Sequence, residues 1–142
     1  MIKGIEHIGL SVSDLDRSVA FYRDILGLEV VRILEPSPDS PLEKVVGLPG
    51  CRARIAHMQS EKGMLELFEY ITPRGKPIPI DHRQADNGFI HMGFTSTDAR
   101  SDYRVLRENG VKFLSDPVEF RPGVWIFYFY GPDGEVCEMR QT

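Results

Sequence analysis

The sequence predicts an α+β fold made of two tandem copies of one βαβββ module, and three observations predict it. The stretches Ile5-Glu6-His7-Ile8-Gly9-Leu10 and Ile90-His91-Met92-Gly93-Phe94 each set a histidine two residues before a glycine, among apolar residues. The offset between the histidines (91 − 7 = 84) recurs between Asp14 and Asp98, each followed by a helical stripe. Each half then closes on a hairpin glycine followed by a strand carrying a glutamate, Glu66 in the first and Glu138 in the second. Self-similarity at a fixed offset marks duplicated supersecondary units that bury their apolar faces together.

Taken in order, residues 5–12 alternate, with His7, Gly9 and Ser11 on one face and Ile8, Leu10 and Val12 on the other. Alternation with period two is the pattern of a half-buried strand. Asp14 is placed to accept from the free amides of the next turn. Leu15, Val19, Tyr22 and Leu26 then form one apolar stripe of a helix, which Gly27 ends as a C-cap glycine. Residues 28–34 read as a second strand. Glu35-Pro36-Ser37-Pro38-Asp39-Ser40-Pro41 is a loop, because proline lacks the ladder donor and fixes φ. A short helix is expected over 42–46, ended by Gly47. Residues 52–59 and 64–70 form a hairpin turning through Ser60-Glu61-Lys62-Gly63.

The second half repeats this plan. Residues 90–95 place His91, Gly93 and Thr95 on one face and Met92 and Phe94 on the other. Asp98 takes the N-cap place, the stripe is Ala99, Tyr103 and Leu106, and Gly110 closes it one residue earlier than the offset requires (110 − 27 = 83). A short strand is expected over 111–114, then a hairpin of 124–130 with 135–140 through Gly131-Pro132-Asp133-Gly134. Residues 1–70 are thus the first module, 71–88 a proline-containing linker, and 89–142 the second module.

Bulk properties narrow the function classes. At 142 residues the chain fits one domain or two small half-domains sharing a core. The formal charge of −4, without a basic block, speaks against nucleic acid as a partner. No apolar run approaches the roughly 20 residues of a membrane span, and no signal-peptide hydrophobic region precedes the first strand. Cys51 and Cys137 are too few and too isolated for a disulfide framework or a thiolate cluster. A cytoplasmic protein with reduced thiols is expected.

One histidine and one carboxylate from each repeat, His7 with Glu66 and His91 with Glu138, suit a divalent metal such as Zn²⁺, Ni²⁺, Co²⁺, Mn²⁺ or Fe²⁺. Four protein donors on an octahedral ion leave two positions for water or a chelating substrate. Glu69, three residues beyond Glu66, is a rival of opposite strand parity. Glu66 is preferred because it shares its place after the hairpin with Glu138.

These stretches resemble the vicinal oxygen chelate superfamily, which includes glyoxalase I, methylmalonyl-CoA epimerase, extradiol dioxygenases and fosfomycin- and bleomycin-resistance proteins. The matching residues are His7-Ile8-Gly9-Leu10 with 14–27, Leu65-Glu66-Leu67, His91-Met92-Gly93-Phe94, and Gly131-Pro132-Asp133-Gly134 running to Glu138. The resemblance implies paired βαβββ modules forming a curved mixed sheet around a metal site, with helices outside and His7, Glu66, His91 and Glu138 as ligands. It also implies a homodimer and a small-molecule substrate with two vicinal oxygens. The expected reaction is proton transfer next to a carbonyl or thioester, with Glu66 or Glu138 as the base, as in glyoxalase I or the epimerases. The alternatives are an Fe²⁺ extradiol-type dioxygenase, which uses two histidines and one carboxylate, and a metal-free small-molecule- or antibiotic-binding module.

Other polar residues are read as structural. His57 and His82 have no partner at the repeat offset. Arg52, Arg54, Arg74 and Lys76 could grip an anion, but solvated surface charge accounts for each. Glu35 and Glu43 are candidate second acids or bases without a motif match. Of the alternating aromatic run, either Trp125, Phe127 and Phe129 or Ile126, Tyr128 and Tyr130 packs the strand, with the other face free to line a pocket.

Overall fold

The computed structural model describes all 142 residues, which divide into two compact units, 1–77 and 78–142. Unit one contains β1 (His7–Ser11), α1 (Leu15–Ala20), β2 (Glu29–Leu34), α2 (Leu42–Val46), β3 (Arg52–Gln59) and β4 (Met64–Thr72). Unit two contains β5 (Met92–Ser96), α3 (Ala99–Glu108), β6 (Val118–Arg121), β7 (Val124–Tyr130) and β8 (Val136–Gln141). Each builds a four-stranded mixed sheet, curved and open, in the order β1-β4-β3-β2 and β5-β8-β7-β6. In both, the first strand runs parallel to the last and the hairpins are antiparallel. The expected α+β plan of two βαβββ modules is the observed one.

The apolar stripes bury most of their residues, with Leu26 and Tyr103 only half-buried. In unit one, Leu15, Val19 and Tyr22 are buried, and so are Ala56 and Met58 of β3 and Leu65 and Leu67 of β4, the strands on which α1 packs. In unit two, Ala99 and Leu106 are buried along with Phe127, Phe129, Cys137 and Met139 on the strands under α3. Period-two alternation therefore turns His57, Glu66 and Phe68, or Tyr128 and Glu138, to the opposite sheet face, away from the helix. The aromatic run resolves the same way: Phe127 and Phe129 enter the core, and Tyr128 lies on the other face. Trp125 is half-buried under the Arg100 guanidinium, 4.7 Å from its ring centre.

Both caps form as expected. Asp14 Oδ1 accepts from the Arg17 amide and Asp98 Oδ1 from the Ser101 amide, each at 3.0 Å. Gly27 and Gly110 turn left-handed at φ 76° and 75°, a conformation glycine adopts without steric cost. The odd residue in the repeat has a location. After Ala20 the helix widens into one π-helical turn over Phe21–Ile25, with Leu26 N–H reaching back to the Phe21 carbonyl at 3.3 Å. A π turn holds one residue more than the α turn it replaces. That is why Gly27 lies thirteen residues past its cap and Gly110 twelve (27 − 14, 110 − 98).

One element differs from expectation. Residues 111–114 do not form a strand of their own. Lys112 O and Leu114 N bond to the Tyr130 and Tyr128 backbone, and Phe113 makes a single bridge to Phe129. Pro117 then interrupts the ladder, having no amide to donate, and the true edge strand is β6, pairing with β7 through Val118↔Ile126 and Glu119↔Trp125. No helix is long and apolar enough to cross a membrane. Cys51 and Cys137 are free thiols.

Candidate functional site

In unit one the site is assembled by register. Parallel pairing of β1 and β4 sets Gly9 opposite Glu66, and antiparallel pairing of β3 and β4 sets His57 opposite the same residue. His7 Nε2 lies 3.3 Å from Glu66 Oε2, and His57 Nε2 lies 3.2 Å from Glu66 Oε1. Glu66 retains only 16% of its side-chain exposure, so it is a carboxylate held between two imidazoles on a half-buried surface. On its other ring nitrogen, His7 Nδ1 is hydrogen-bonded to the Glu6 carboxylate. That bond raises the His7 pKa above its ordinary value, burial opposes it, and the charges of Glu66 and Glu6 add to the rise.

Unit two repeats the arrangement. Gly93 and Tyr128 both lie opposite Glu138 in the register. His91 Nε2 is 3.0 Å from Glu138 Oε2, the Tyr128 hydroxyl is 3.5 Å from the same oxygen, and the Tyr128 and His91 rings pack at 4.9 Å. Burial, then the charge and hydrogen bond of Glu138, push the Tyr128 pKa up, so its hydroxyl keeps its proton at neutral pH. His91 Nδ1 pairs with Gln84 Oε1 at 3.0 Å, and Gln84 Nε2 donates to the Ile90 carbonyl at 3.0 Å. The second bond identifies which end of the amide is oxygen.

Both repeat histidines thus commit Nδ1 to an acceptor and turn Nε2 toward a glutamate. Once an ion displaces the Nε2 proton, such a ring is neutral, its Nδ1–H donated and its Nε2 lone pair left for the ion, which is how metal-binding imidazoles are oriented. The glycine beside each glutamate keeps the surface open: a Cβ at Gly93 would meet nothing within 4 Å, and one at Gly9 only the Phe68 ring edge at 3.9 Å. Each unit therefore supplies one nitrogen and one oxygen donor suited to a divalent ion. No group of three or more His, Cys, Asp or Glu side chains is gathered in an arrangement able to hold one.

The rival residues are occupied elsewhere. Glu69 lies on the helix side, where its Oε2 accepts from the Leu15 amide at 3.1 Å and from Arg54 Nη1 at 3.4 Å. Arg54 is no solvated surface charge. It is the hub of Asp16, Glu35 and Glu69, at 3.1, 3.2 and 3.4 Å, and its pKa is raised, first by the hydrogen bond to Asp16. Glu35 is thereby engaged, and Glu43 accepts from the Gly50 amide at 2.6 Å. His82 sits 3.6 Å from Asp86 in the connecting stretch.

His57 is the residue that offset counting misses. The proline-rich loop and α2 lengthen the first half, so the repeat offset falls from 84 at the histidines to 72 at the glutamates (138 − 66). By register, the counterpart of His57 is Tyr128. Counting outward from each glutamate across its hairpin would find both.

Comparison with known proteins agrees with this architecture. Residues 4–139 match the glyoxalase/bleomycin resistance protein/dioxygenase superfamily. The chain is 30% identical to a probable lactoylglutathione lyase of Synechocystis, over 96% of this chain and 93% of that one. It is 30% identical to 2-epi-5-epi-valiolone epimerase of Actinomyces, over 95% of this chain and 77% of the relative. It is 28% identical to the metallothiol transferase FosB of Staphylococcus saprophyticus, over 99% and 78%. A glyoxalase family protein of Bacillus cereus shares the fold with a TM-score of 0.89 at 19% identity, over 99% of this chain and 95% of that one. With a match across nearly its whole length and this repeated strand order, the chain belongs to the glyoxalase/bleomycin resistance protein/dioxygenase superfamily.

Proposed function

We propose that the chain is a divalent-metal-dependent enzyme that moves a proton at a carbon next to a carbonyl or thioester, as a glyoxalase I-like lyase or an epimerase. The observation that carries this reading is the doubled pair. Residues 1–70 supply His7 Nε2 beside Glu66, residues 89–142 supply His91 Nε2 beside Glu138, and Glu6 and Gln84 orient the two rings. A lyase and an epimerase among the relatives support the same chemistry. A bound ion would supply Lewis-acid stabilisation of negative charge growing on a substrate oxygen. In these pairs the carboxylates of Glu66 and Glu138 are the groups assigned to take a proton from carbon and return it. The Tyr128 hydroxyl, kept protonated, donates to Glu138 and holds it at the His91 edge. The substrate class is a small molecule with two neighbouring oxygens, and a homodimer belongs to the same reading.

The test is metal analysis of protein purified without chelators, with solvent deuterium exchange into a hemithioacetal and into methylmalonyl-CoA. Expected are one divalent ion per site and exchange at the carbon next to the carbonyl, lowered roughly 10²–10⁴-fold by Glu138→Gln. Oxygen consumption and ring cleavage when Fe²⁺ and a catechol are supplied would select the dioxygenase instead. Absence of an ion, with ligand binding unchanged in His7→Ala, would select the binding module.

A further inference from the structure

His57 touches Glu66 as closely as His7 does, so its two ring nitrogens decide whether it is another donor to an ion or something else. Its Nδ1 is 3.0 Å from Arg32 Nε, on β2. A guanidinium has five N–H donors and no acceptor, so Nδ1 must present its lone pair and the ring proton resides on Nε2. That proton points at Glu66 Oε1, 3.2 Å away. The polarity is the reverse of His7 and His91, whose Nδ1 atoms face the oxygens of Glu6 and Gln84. An imidazole fixed in this sense gives a hydrogen bond through Nε2 and has no lone pair there to offer.

We infer that His57 is a positioning residue, set by Arg32, that holds Glu66 Oε1 by an Nε2–H hydrogen bond and so leaves Oε2 as the oxygen presented beside His7. The side chain keeps only 12% of its exposure, and β2, β3 and β4 are neighbours in one sheet, so the relay Arg32–His57–Glu66 crosses three adjacent strands. The second repeat builds the same device with other chemistry. Tyr128 occupies the place opposite Glu138 and directs its single O–H at that carboxylate. Two unlike side chains share one register position and one property, a proton aimed at the glutamate. Holding one carboxylate oxygen restricts the group to one-oxygen presentation and limits its rotation, which is the service that hydrogen-bonded supporting groups render to ligands.

The inference rests on the proposed ion-binding role of Glu66 for its consequence, but not for its geometry, and the experiment separates them. In the full-length protein without metal, two-bond ¹H–¹⁵N correlation of the histidine rings reads each tautomer. His57 is expected with the proton on Nε2 and Nδ1 bare, and Arg32→Leu should abolish that preference. A proton on His57 Nδ1 would overturn the assignment and make it a candidate ligand. Zn²⁺ or Co²⁺ titration then reads the consequence: His57→Leu should weaken affinity about 10–100-fold. His57→Gln, whose amide can donate to Glu66 in place of Nε2–H, should recover most of it. Equal losses in both variants, tracking a fall in thermal stability, would reduce His57 to a packing residue. Wild-type protein that binds neither ion would sink the metal reading while leaving the tautomer result standing.

Discussion

Glu66 and Glu69 are three residues apart on β4 and face opposite sides of the sheet, so their replacement should separate function from stability. In Glu69→Ala, the Leu15 amide loses the carboxylate that accepts from it at 3.1 Å, in a residue with no remaining exposure. A hydrogen bond to a charged acceptor contributes about 1.5–3 kcal/mol when its partner is left buried. The pair with Arg54 adds little, because Arg54 keeps Asp16 and Glu35. The expected cost is about 2–3 kcal/mol. At an unfolding entropy of about 2 cal/mol/K per residue, a chain of this size loses roughly 3 °C of midpoint per kcal/mol. Calorimetry of metal-free Glu69→Ala should therefore show a midpoint about 7–10 °C below wild type, with ion stoichiometry intact once refilled. Glu66→Gln, an isosteric change on the open face, should hold its midpoint within about 3 °C and lose the ion. If Glu69→Ala melts like wild type while Glu66→Gln is the unstable variant, the assignment of sheet faces is refuted.

Two further outcomes follow from the helix caps and the Arg54 hub. Asp14→Ala and Asp98→Ala should each cost about 1 kcal/mol, read as a thermal midpoint about 3 °C lower, and the double variant should lose the sum, since the caps belong to different helices. Asp16 has its pKa lowered by the hydrogen bond and then the charge of Arg54. A depressed carboxylate contributes stability above its unfolded pKa and loses it as pH falls through the folded one. The urea midpoint of wild type should exceed that of Asp16→Asn at neutral pH and converge with it below about pH 4; a difference constant down to about pH 2.5 would refute the linkage.

The parts of this architecture legible in the sequence are those written locally. Alternation around His7 and His91, the Asp14 and Asp98 caps, and the closing glycines are short-range patterns with a direct physical cause, and each appears where expected. Glu66 is preferred over Glu69 for its place after the hairpin, shared with Glu138, and its carboxylate lies beside His7. What escaped is what depends on pairing between distant segments. Residues 111–114 carry a strand-like composition, yet the partner β7 offers its edge further along, to 118–121. His57 was invisible because its role is fixed by the β3–β4 register and by Arg32 on β2, two contacts that no fixed offset encodes. Arg54 looked like surface charge because Asp16, Glu35 and Glu69 lie far from it in sequence.

The widened turn at Phe21–Ile25 bears on how a duplicated chain can drift. A residue added to an α-helix rotates everything beyond it by about 100°, which would carry the later part of the apolar stripe off the core and misdirect the strand that follows. Here the surplus is confined to one turn. Tyr22 remains fully buried, Leu28 still bonds back to it at 2.9 Å, and Gly27 still reverses the chain into β2. Twin modules can thus differ in length inside a helix while their strands stay in phase. The parallel alignment that sets a glycine opposite a glutamate in both halves is insulated from such an insertion.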